Sequence, residues 1–392
     1  MSRTGFVGRD ALGAYDLGDD HPLSPTTRSL AVELIRAYGL LDRADVVDID
    51  PVPATDAEIE KVHAPAYVAA VRRYSADPTL AAAWEATNWG LGAGGDTPAF
   101  RGMHEAAAEI CGASVTAALA VWNGTVDQVF CPGGGLHHAF ANRAAGFCIY
   151  NDPAVAIRAL LDAGAERVAY VDVDVHHGDG TQWIFYDDPR VLTCSVHESG
   201  RFLFPGTGGL GERGTGAGEG AALNIPLPAF AGSAPYLRAL DEVIAPAVRT
   251  FRPDVLVTQN GVDPHHADPL AHLQVTMDAF PRLWRSLHDL AFDAAGGKWV
   301  ALGGGGYNVD VLPRAWSMLF AEMVGAELAD EIATDWLAMA AARTGRDFTP
   351  RLRQDPGPEV PPEHRERADL EAEQVVDQAK GLVGGVPAPP AN

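Results

Sequence analysis

The stretch Val168-Ala-Tyr-Val-Asp-Val-Asp-Val-His-His-Gly-Asp-Gly180 combines a strand pattern with the residues of a site. Its first half is short, apolar and β-branched, which is typical of a strand buried on both faces. Asp172, Asp174 and His176 alternate, so they share one face of a strand that continues to Val175. Acidic side chains in so apolar a strand are costly unless they are paired or bind a metal. The stretch therefore predicts a buried strand that ends in a metal site.

Strands of the same kind recur along the chain, and helical patterns separate them. The further strands are predicted at Val126–Phe130, Val191–Val196, Val255–Gln259 and Trp299–Leu302. The helices are predicted at Ala99–Ala120, Ala154–Ala163, Tyr236–Thr250 and Val275–Leu290. This alternation predicts one α/β domain, residues 1–347, in which helices cover both faces of a central parallel sheet. A tail rich in proline and charge follows at 348–392; we expect a polar helix at Arg365–Leu382 and a last stretch that is loosely attached.

The composition excludes several classes of protein. The net charge of −23 argues against nucleic acid as a ligand, because binding phosphates needs a basic face. Four scattered cysteines do not make a disulfide framework, which suits a reducing compartment. We find no apolar run of membrane-spanning length and no secretory signal at the N-terminus, so we predict a cytoplasmic protein that does not bind membranes.

Two other predicted strand ends carry unusual polar residues behind glycines. His137 and His138 lie in Pro132-Gly-Gly-Gly-Leu-His-His-Ala-Phe140, and Tyr307 follows four glycines after Leu302. Glycines let the backbone turn sharply and approach another group closely. A single histidine is more often an ordinary core residue than a catalyst, but an adjacent pair in such a turn favours a functional role. In parallel sheets, loops at the carboxyl ends of the strands collect functional residues.

The loop after Val255–Gln259 offers a third ligand for the predicted metal. It reads Asn260-Gly-Val-Asp-Pro-His-His-Ala-Asp-Pro-Leu270, and Asp263 lies just past the strand end. Asp268 precedes a proline, so capping a turn suits it as well as binding a metal. We interpret His265 and His266 as ordinary loop or rim residues.

Taken together, these motifs resemble the histone deacetylase superfamily over residues 21–316. The resemblance rests on Gly135-Leu-His-His-Ala139, Asp172-Val-Asp-Val-His-His-Gly-Asp-Gly180, Gly261-Val-Asp263 and Gly303-Gly-Gly-Gly-Tyr-Asn308. It implies the arginase/deacetylase fold. It also implies a zinc-dependent deacetylase that hydrolyses the acetyl amide of acetyl-lysine on proteins. Iron(II) suits a similar ligand set, and the family also binds a monovalent cation, K⁺ or Na⁺.

The resemblance implies a role for each matching residue. The zinc ligands are Asp174, His176 and Asp263; the tandem histidines are His137 and His138, paired with Asp172 and Asp179; and Tyr307 polarises the substrate carbonyl. The substrate-binding residues are Asp96, which grips the substrate backbone, Gly146, Phe147 and Phe204 along the acyl-lysine tunnel, and Leu270 at its rim. The monovalent cation uses carbonyls around Asp172–His176 and the side chain of Ser195.

The chain departs from the family pattern at one point, and two other functions compete with the main one. Thr27 stands where the family has an arginine of the internal acetate-release cavity, and Arg28 follows one position later. A leucine at 270 favours protein substrates over acetylpolyamines, since an acidic residue there would attract a polyamine cation; small acetylated amines remain the alternative substrate. The first competing function is that of a binuclear manganese ureohydrolase. Such an enzyme would need a second Asp-x-Asp pair, whereas Gly261-Val-Asp263 offers one aspartate. The second is that of a non-catalytic scaffold that binds acyl-lysine. Such a scaffold could have lost a metal ligand or the tyrosine without cost, whereas this chain retains the whole set.

Overall fold

The computed structural model describes residues 3–8, 11–18 and 21–389, and the described strands form one parallel sheet. The strands are β1 (Thr4–Val7), β2 (Val46–Ile49), β3 (Gln128–Cys131), β4 (Val168–Asp172), β5 (Val191–Glu198), β6 (Ala222–Leu227), β7 (Val255–Gln259) and β8 (Trp299–Leu302). Their order in the sheet is β2-β1-β3-β8-β7-β4-β5-β6, and every neighbouring pair is parallel. The predicted α/β class with a parallel sheet is confirmed.

Helices connect the strands and cover both faces of the sheet. They are α1 (Pro25–Ala37), α2 (Asp56–Ile59), α3 (Pro65–Ala76), α4 (Glu85–Asn88), α5 (Met103–Trp122), α6 (Asp152–Asp162), α7 (Asp179–Ile184), α8 (Ser233–Ala239), α9 (Ala245–Phe251), α10 (Ala279–Ala295), α11 (Val311–Met323), α12 (Thr334–Thr344) and α13 (Pro362–Lys380). Successive residues of β4 enter opposite cores: Val171 packs on the side of α8–α11, whereas Tyr170 packs on the side of α5 and α6. Burial on both faces explains the continuous apolar run of this strand.

The four strands that precede the predicted site motifs are neighbours in the middle of the sheet. β3, β8, β7 and β4 are adjacent in that order, although β3 and β8 are far apart along the chain. Because the strands are parallel, their carboxyl ends meet at one edge of the sheet. The motifs that follow them therefore converge there, as the rule for open α/β sheets predicts.

The structure differs from the predicted element bounds at several points. β7 and β8 have the predicted bounds, whereas β4 ends at Asp172 and not at Val175. Asp174 and His176 consequently lie on a loop, where the amide of Val173 donates to the carbonyl of Gln259 at the end of β7. The sequence analysis missed β1, β2 and β6, which are short strands at or near the edges of the sheet.

One described helix, α5, is long and apolar enough to cross a membrane by length and composition. It differs in this respect from the expectation that the chain has no such run. Most of its residues are buried, and it packs between α6 and the sheet strands β1 and β3. A buried position against a sheet identifies α5 as a core helix of the domain.

The C-terminal segment is attached to the domain throughout its described part. α13 buries Ala372 and Val376 against β6 and α8. The Asp369 carboxylate accepts from the amide of Gly232 at 2.7 Å, and Lys380 Nζ lies 3.0 Å from Glu242 Oε2. The polar helix was predicted correctly, but the expectation of loose attachment is wrong up to residue 389, and the last three residues lie outside the described ones.

Candidate active site

The two adjacent histidines after β3 are each paired with a buried carboxylate. His137 Nδ1 lies 2.7 Å from Asp172 Oδ2, and His138 Nδ1 lies 2.7 Å from Asp179 Oδ1. The two Nε2 atoms lie 3.0 Å apart and face the same cavity. Tyr170 also donates its hydroxyl to Asp172, at 2.8 Å. The Nδ1 partners orient both rings, so that each imidazole presents Nε2 to the site.

Three further groups meet beside these histidines. His176 Nδ1 lies 3.1 Å from Asp174 Oδ1 and 3.2 Å from Asp263 Oδ2. All three residues are buried, and their ligand atoms lie within 4.8 Å of one another. Two buried carboxylates this close together are costly unless a proton or a cation offsets their charge. The donor set of two carboxylate oxygens and one imidazole nitrogen therefore fits a catalytic zinc ion, which takes three protein ligands and keeps one position open.

The glycine run after β8 lies against this cluster. A Cβ atom at Gly305 would lie 2.1 Å from Asp263 Oδ2 and 2.6 Å from Asp174 Oδ2, so no side chain fits there. Instead, the amide of Gly305 donates to Asp174 Oδ2 at 2.8 Å. The amide of Tyr307 donates to Asp268 Oδ2 at 2.8 Å, and Asp268 Oδ1 accepts from Leu270. Asp268 thus has the capping role and holds Tyr307 at the cavity.

Burial and the close charges shift the acid–base behaviour of the site. Burial opposes protonation of His137, but Asp172 and Asp174 outweigh it and raise its pKa to about 9. Burial, together with His137 and His176, lowers the pKa of His138 well below its usual value. Burial, with Asp263 and Asp174, raises the pKa of Tyr307 well above its usual value, so its hydroxyl keeps its proton. The paired histidines therefore differ in basicity although their sequence contexts are alike.

Aromatic side chains line the approach to the cavity. The Phe147 ring packs edge-on to Tyr307 with centroids 5.7 Å apart, and the Phe204 ring packs edge-on to His138 at 5.0 Å. Gly146 passes so close to His138 that a Cβ atom would lie 2.3 Å from the ring. Asp96 Oδ2 accepts from the amide of Gly146 at 3.0 Å. The predicted tunnel residues thus surround the paired histidines, and Asp96 holds the backbone beside one wall.

Arg28, and not Thr27, lines the cavity of the site. Its side chain is buried, Nη2 donates to the carbonyl of Gly304 at 3.1 Å, and Nε has no hydrogen-bond partner. The same cavity is lined by His137, Asp174 and Tyr307. A buried guanidinium therefore lies in the same cavity as the paired histidines and Tyr307.

Several supporting residues were missed by the sequence analysis. Gln259, the last residue of β7, donates from Nε2 to Asp174 Oδ2 at 2.6 Å and accepts from the amide of Gly261. The side-chain amide of Asn151 donates to the carbonyls of His137 and Ala139. A polar residue at the buried end of a strand was the available signal for Gln259. His265 and His266 are loop residues as interpreted, but they bond to Asp355 and do not form a rim.

Comparison with known proteins agrees with this geometry. Residues 21–323 match the model of the histone deacetylase domain. The acetoin utilization protein AcuC of Bacillus subtilis (strain 168) is 42% identical over 333 residues, which cover 85% of this chain and 85% of that protein. AcuC of Staphylococcus xylosus is 40% identical over 323 residues, or 82% of this chain and 83% of that protein. Both matches include all four strand-end motifs within their length.

Proposed function

Since the chain belongs to the histone deacetylase family and is a deacetylase, we propose that it removes acetyl groups from acetyl-lysine on proteins with the help of zinc. The observation that carries this proposal is the meeting of Asp174, His176 and Asp263 with two carboxylate-paired histidines and Tyr307 in one cavity. By analogy with its AcuC relatives, we place the activity in the use of acetoin. Its four free cysteines suit a reducing compartment, and we propose the cytoplasm. The net charge of −23 argues against nucleic acid as a partner.

Asp174, His176 and Asp263 would hold the zinc ion. When bound, zinc supplies Lewis acidity that polarises the acetyl carbonyl and lowers the pKa of water to about 7. The same donors accommodate iron(II). For the structural K⁺ or Na⁺ ion we propose the carbonyls around Asp172–His176; the Ser195 hydroxyl beside them lies 2.8 Å from His197 Nδ1.

The histidines would move the protons of the reaction. His138, kept neutral by its surroundings, accepts a proton from the attacking water and later delivers it to the leaving amine nitrogen. His137 provides a neighbouring positive charge. Tyr307 donates its hydroxyl proton in a hydrogen bond to the oxygen that gains charge as the carbonyl carbon becomes tetrahedral. Arg28 then meets the acetate.

The shape of the entrance supports a long unbranched acyl-amine as the substrate. Phe147 and Phe204 provide apolar walls on either side of His138 and Tyr307, which suits the methylene chain of lysine. The family resemblance implies that Leu270 lies at the rim; this half-buried side chain follows Asp268 and offers no charge to a polyamine. The apolar entrance therefore favours acetyl-lysine in a protein, with small acetylated amines as the second candidate.

The test is the release of acetate from two substrates by purified protein whose bound metal has been counted. We expect one metal ion per chain and turnover of an acetyl-lysine peptide that a chelator abolishes and zinc restores. A higher kcat/KM for an acetylated polyamine would agree with the proposed mechanism but would indicate that small acetylated amines are the substrates. Turnover of neither substrate by the metal-loaded protein would contradict the proposal and favour a scaffold that only binds acyl-lysine.

Leu270 gives a separate test of the substrate assignment. We expect Leu270→Glu to raise kcat/KM for an acetylated polyamine by up to about fivefold, because an exposed ion pair contributes about 0.2–1 kcal/mol. The matched control is Leu270→Gln, which removes the same apolar surface without adding charge. Equal effects of the two substitutions would show that the rim does not select substrates by charge. Raising the salt concentration should remove the gain.

A further inference from the structure

Residues 349–357, which we call the C-terminal strap, lie beyond the part of the chain that matches the histone deacetylase domain. The strap nevertheless contacts the two loops that carry Asp263 and Tyr307. It follows α12 and precedes α13, and its side-chain contacts with these loops are made by Asp355 and Thr349. An element outside the matched domain therefore contacts the loops that hold two residues of the proposed active site.

The Asp355 carboxylate holds both ends of the loop that follows Asp263. Its Oδ2 atom lies 3.2 Å from His265 Nε2 and accepts from the amide of Met277 at 2.7 Å. Its Oδ1 atom lies 2.6 Å from His266 Nε2. The side chain is only 11% exposed, so water competes little for these contacts. One carboxylate thus fixes residues 265, 266 and 277 relative to one another.

The same loop is connected to two groups of the proposed mechanism. His265 lies two residues after Asp263, and the amide of Asp268 donates to the carbonyl of His265 at 2.9 Å. Asp268 in turn accepts from the amide of Tyr307. A displacement of His265 would therefore reach Asp263 through the backbone and Tyr307 through Asp268.

A second contact attaches the strap to the start of α11. Thr349 donates from its amide and its hydroxyl to the two oxygens of Asp310, at 2.9 and 2.8 Å. Arg314 donates to Asp310 Oδ2 at 2.6 Å and to the carbonyl of Gln354 at 2.7 Å. Asp310 lies three residues after Tyr307. The strap therefore joins the tyrosine loop and the Asp263 loop.

The cluster of His265, His266 and Asp355 also has the composition of a metal site, but its hydrogen bonds argue against one. The amide of Ala267 donates to His265 Nδ1 at 3.1 Å, so Nδ1 carries no proton and a neutral ring must carry it on Nε2. That Nε2–H faces Asp355 and has no lone pair to offer a metal. The backbone thus fixes His265 as a donor to the carboxylate.

We propose that Asp355 is a positioning residue of the deacetylase: it fixes the loop from Pro264 to Met277 and so places Asp263 and Tyr307 for turnover. The proposal rests on the roles given to these two residues in the proposed function. It differs from a role in stability alone, because the contacts converge on the loop that bears the ligand.

The experiment compares Asp355→Ala and Asp355→Asn with the matched control Asp330→Asn in the full chain. Asp330 accepts from the amide of Arg353 at 2.9 Å, so it holds the same strap without touching the Asp263 loop. We measure kcat and KM for an acetyl-lysine peptide per zinc-loaded chain, the zinc affinity by competition with a chelator, and the melting temperature. If the alanine variant does not fold, the asparagine variant tests the proposal, because it keeps the size of the side chain.

We expect the Asp355 variants to lose about 10- to 100-fold in kcat or zinc affinity, with KM nearly unchanged, as for other groups that orient metal ligands. Asp330→Asn should match the wild type in kcat and in zinc affinity. A lowered melting temperature with wild-type kcat and zinc affinity in the folded Asp355 variants would overturn the proposal. A second metal ion in the wild type that Asp355→Ala removes would overturn it as well. If the wild type releases no acetate, the proposed function fails, and the zinc affinities still decide the role of Asp355.

Discussion

His138→Ala is expected to lower kcat by roughly 10²- to 10⁴-fold, the range over which a positioned acid–base group acts. The imidazole lies 2.7 Å from Asp179 through Nδ1, and its Nε2 faces the cavity. Its removal leaves water and the leaving amine without a proton acceptor and donor at this point. The proposed zinc ligands do not include His138, so bound zinc per chain should stay near the wild-type value.

The measurement is kcat on an acetyl-lysine peptide with the metal content determined on the same sample. His288→Ala is a matched control, since His288 lies on α10 with its ring near Phe292 and outside the cavity. Wild-type turnover by His138→Ala would contradict the role of His138 as the base. If kcat and the bound zinc fall together, the lower kcat results from damage to the metal site instead.

Tyr307→Phe should lower kcat by roughly 10²- to 10³-fold, because one preorganised donor to a developing oxyanion contributes about 3 kcal/mol. Phenylalanine keeps the edge-on packing against Phe147, so the change removes the hydroxyl alone. The amide of residue 307 also keeps its bond to Asp268. KM and zinc content should therefore change little.

The control for this substitution is Tyr186→Phe, which removes a tyrosine hydroxyl beside Trp183, away from the described cavity. The comparison uses kcat and KM separately, since a loss of binding alone would raise KM. A kcat of Tyr307→Phe within about twofold of the wild-type value would contradict the role of Tyr307 as a hydrogen-bond donor to the developing oxyanion.

The sequence was sufficient to predict the strands that end in the site. β7 and β8 were predicted with their observed bounds because each is a short apolar run buried on both faces and is followed by glycine or polar residues. β6 was missed because its sequence, Ala-Leu-Asn-Ile-Pro-Leu, contains a proline and an asparagine. Proline is tolerated there because β6 is the edge strand, where one side of the backbone has no strand partner.

The candidate site was predictable in its residue types but not in its support. Asp174 and His176 stood out because acids in an apolar strand are costly, and they lie together although the strand ends before them. Asp355 could not be identified, because its partners lie about ninety residues away and only folding brings them into contact. The attachment of α13 was missed for a related reason: its small buried face of alanine and valine is hard to see among charged residues.

The order of the central strands has a consequence for the time at which the protein becomes active during synthesis. The first of the four central strands is β3, which starts at Gln128, and the last is β8, which ends at Leu302. β8 lies between β3 and β7, so the edge that collects the site residues is not complete until that strand has left the ribosome. The strap follows later still. The three residues that could hold a metal follow β4 and β7, which pair with each other without β8, whereas Tyr307 follows β8. A nascent chain therefore lacks the tyrosine side of the candidate site, and activity belongs to the completed polypeptide.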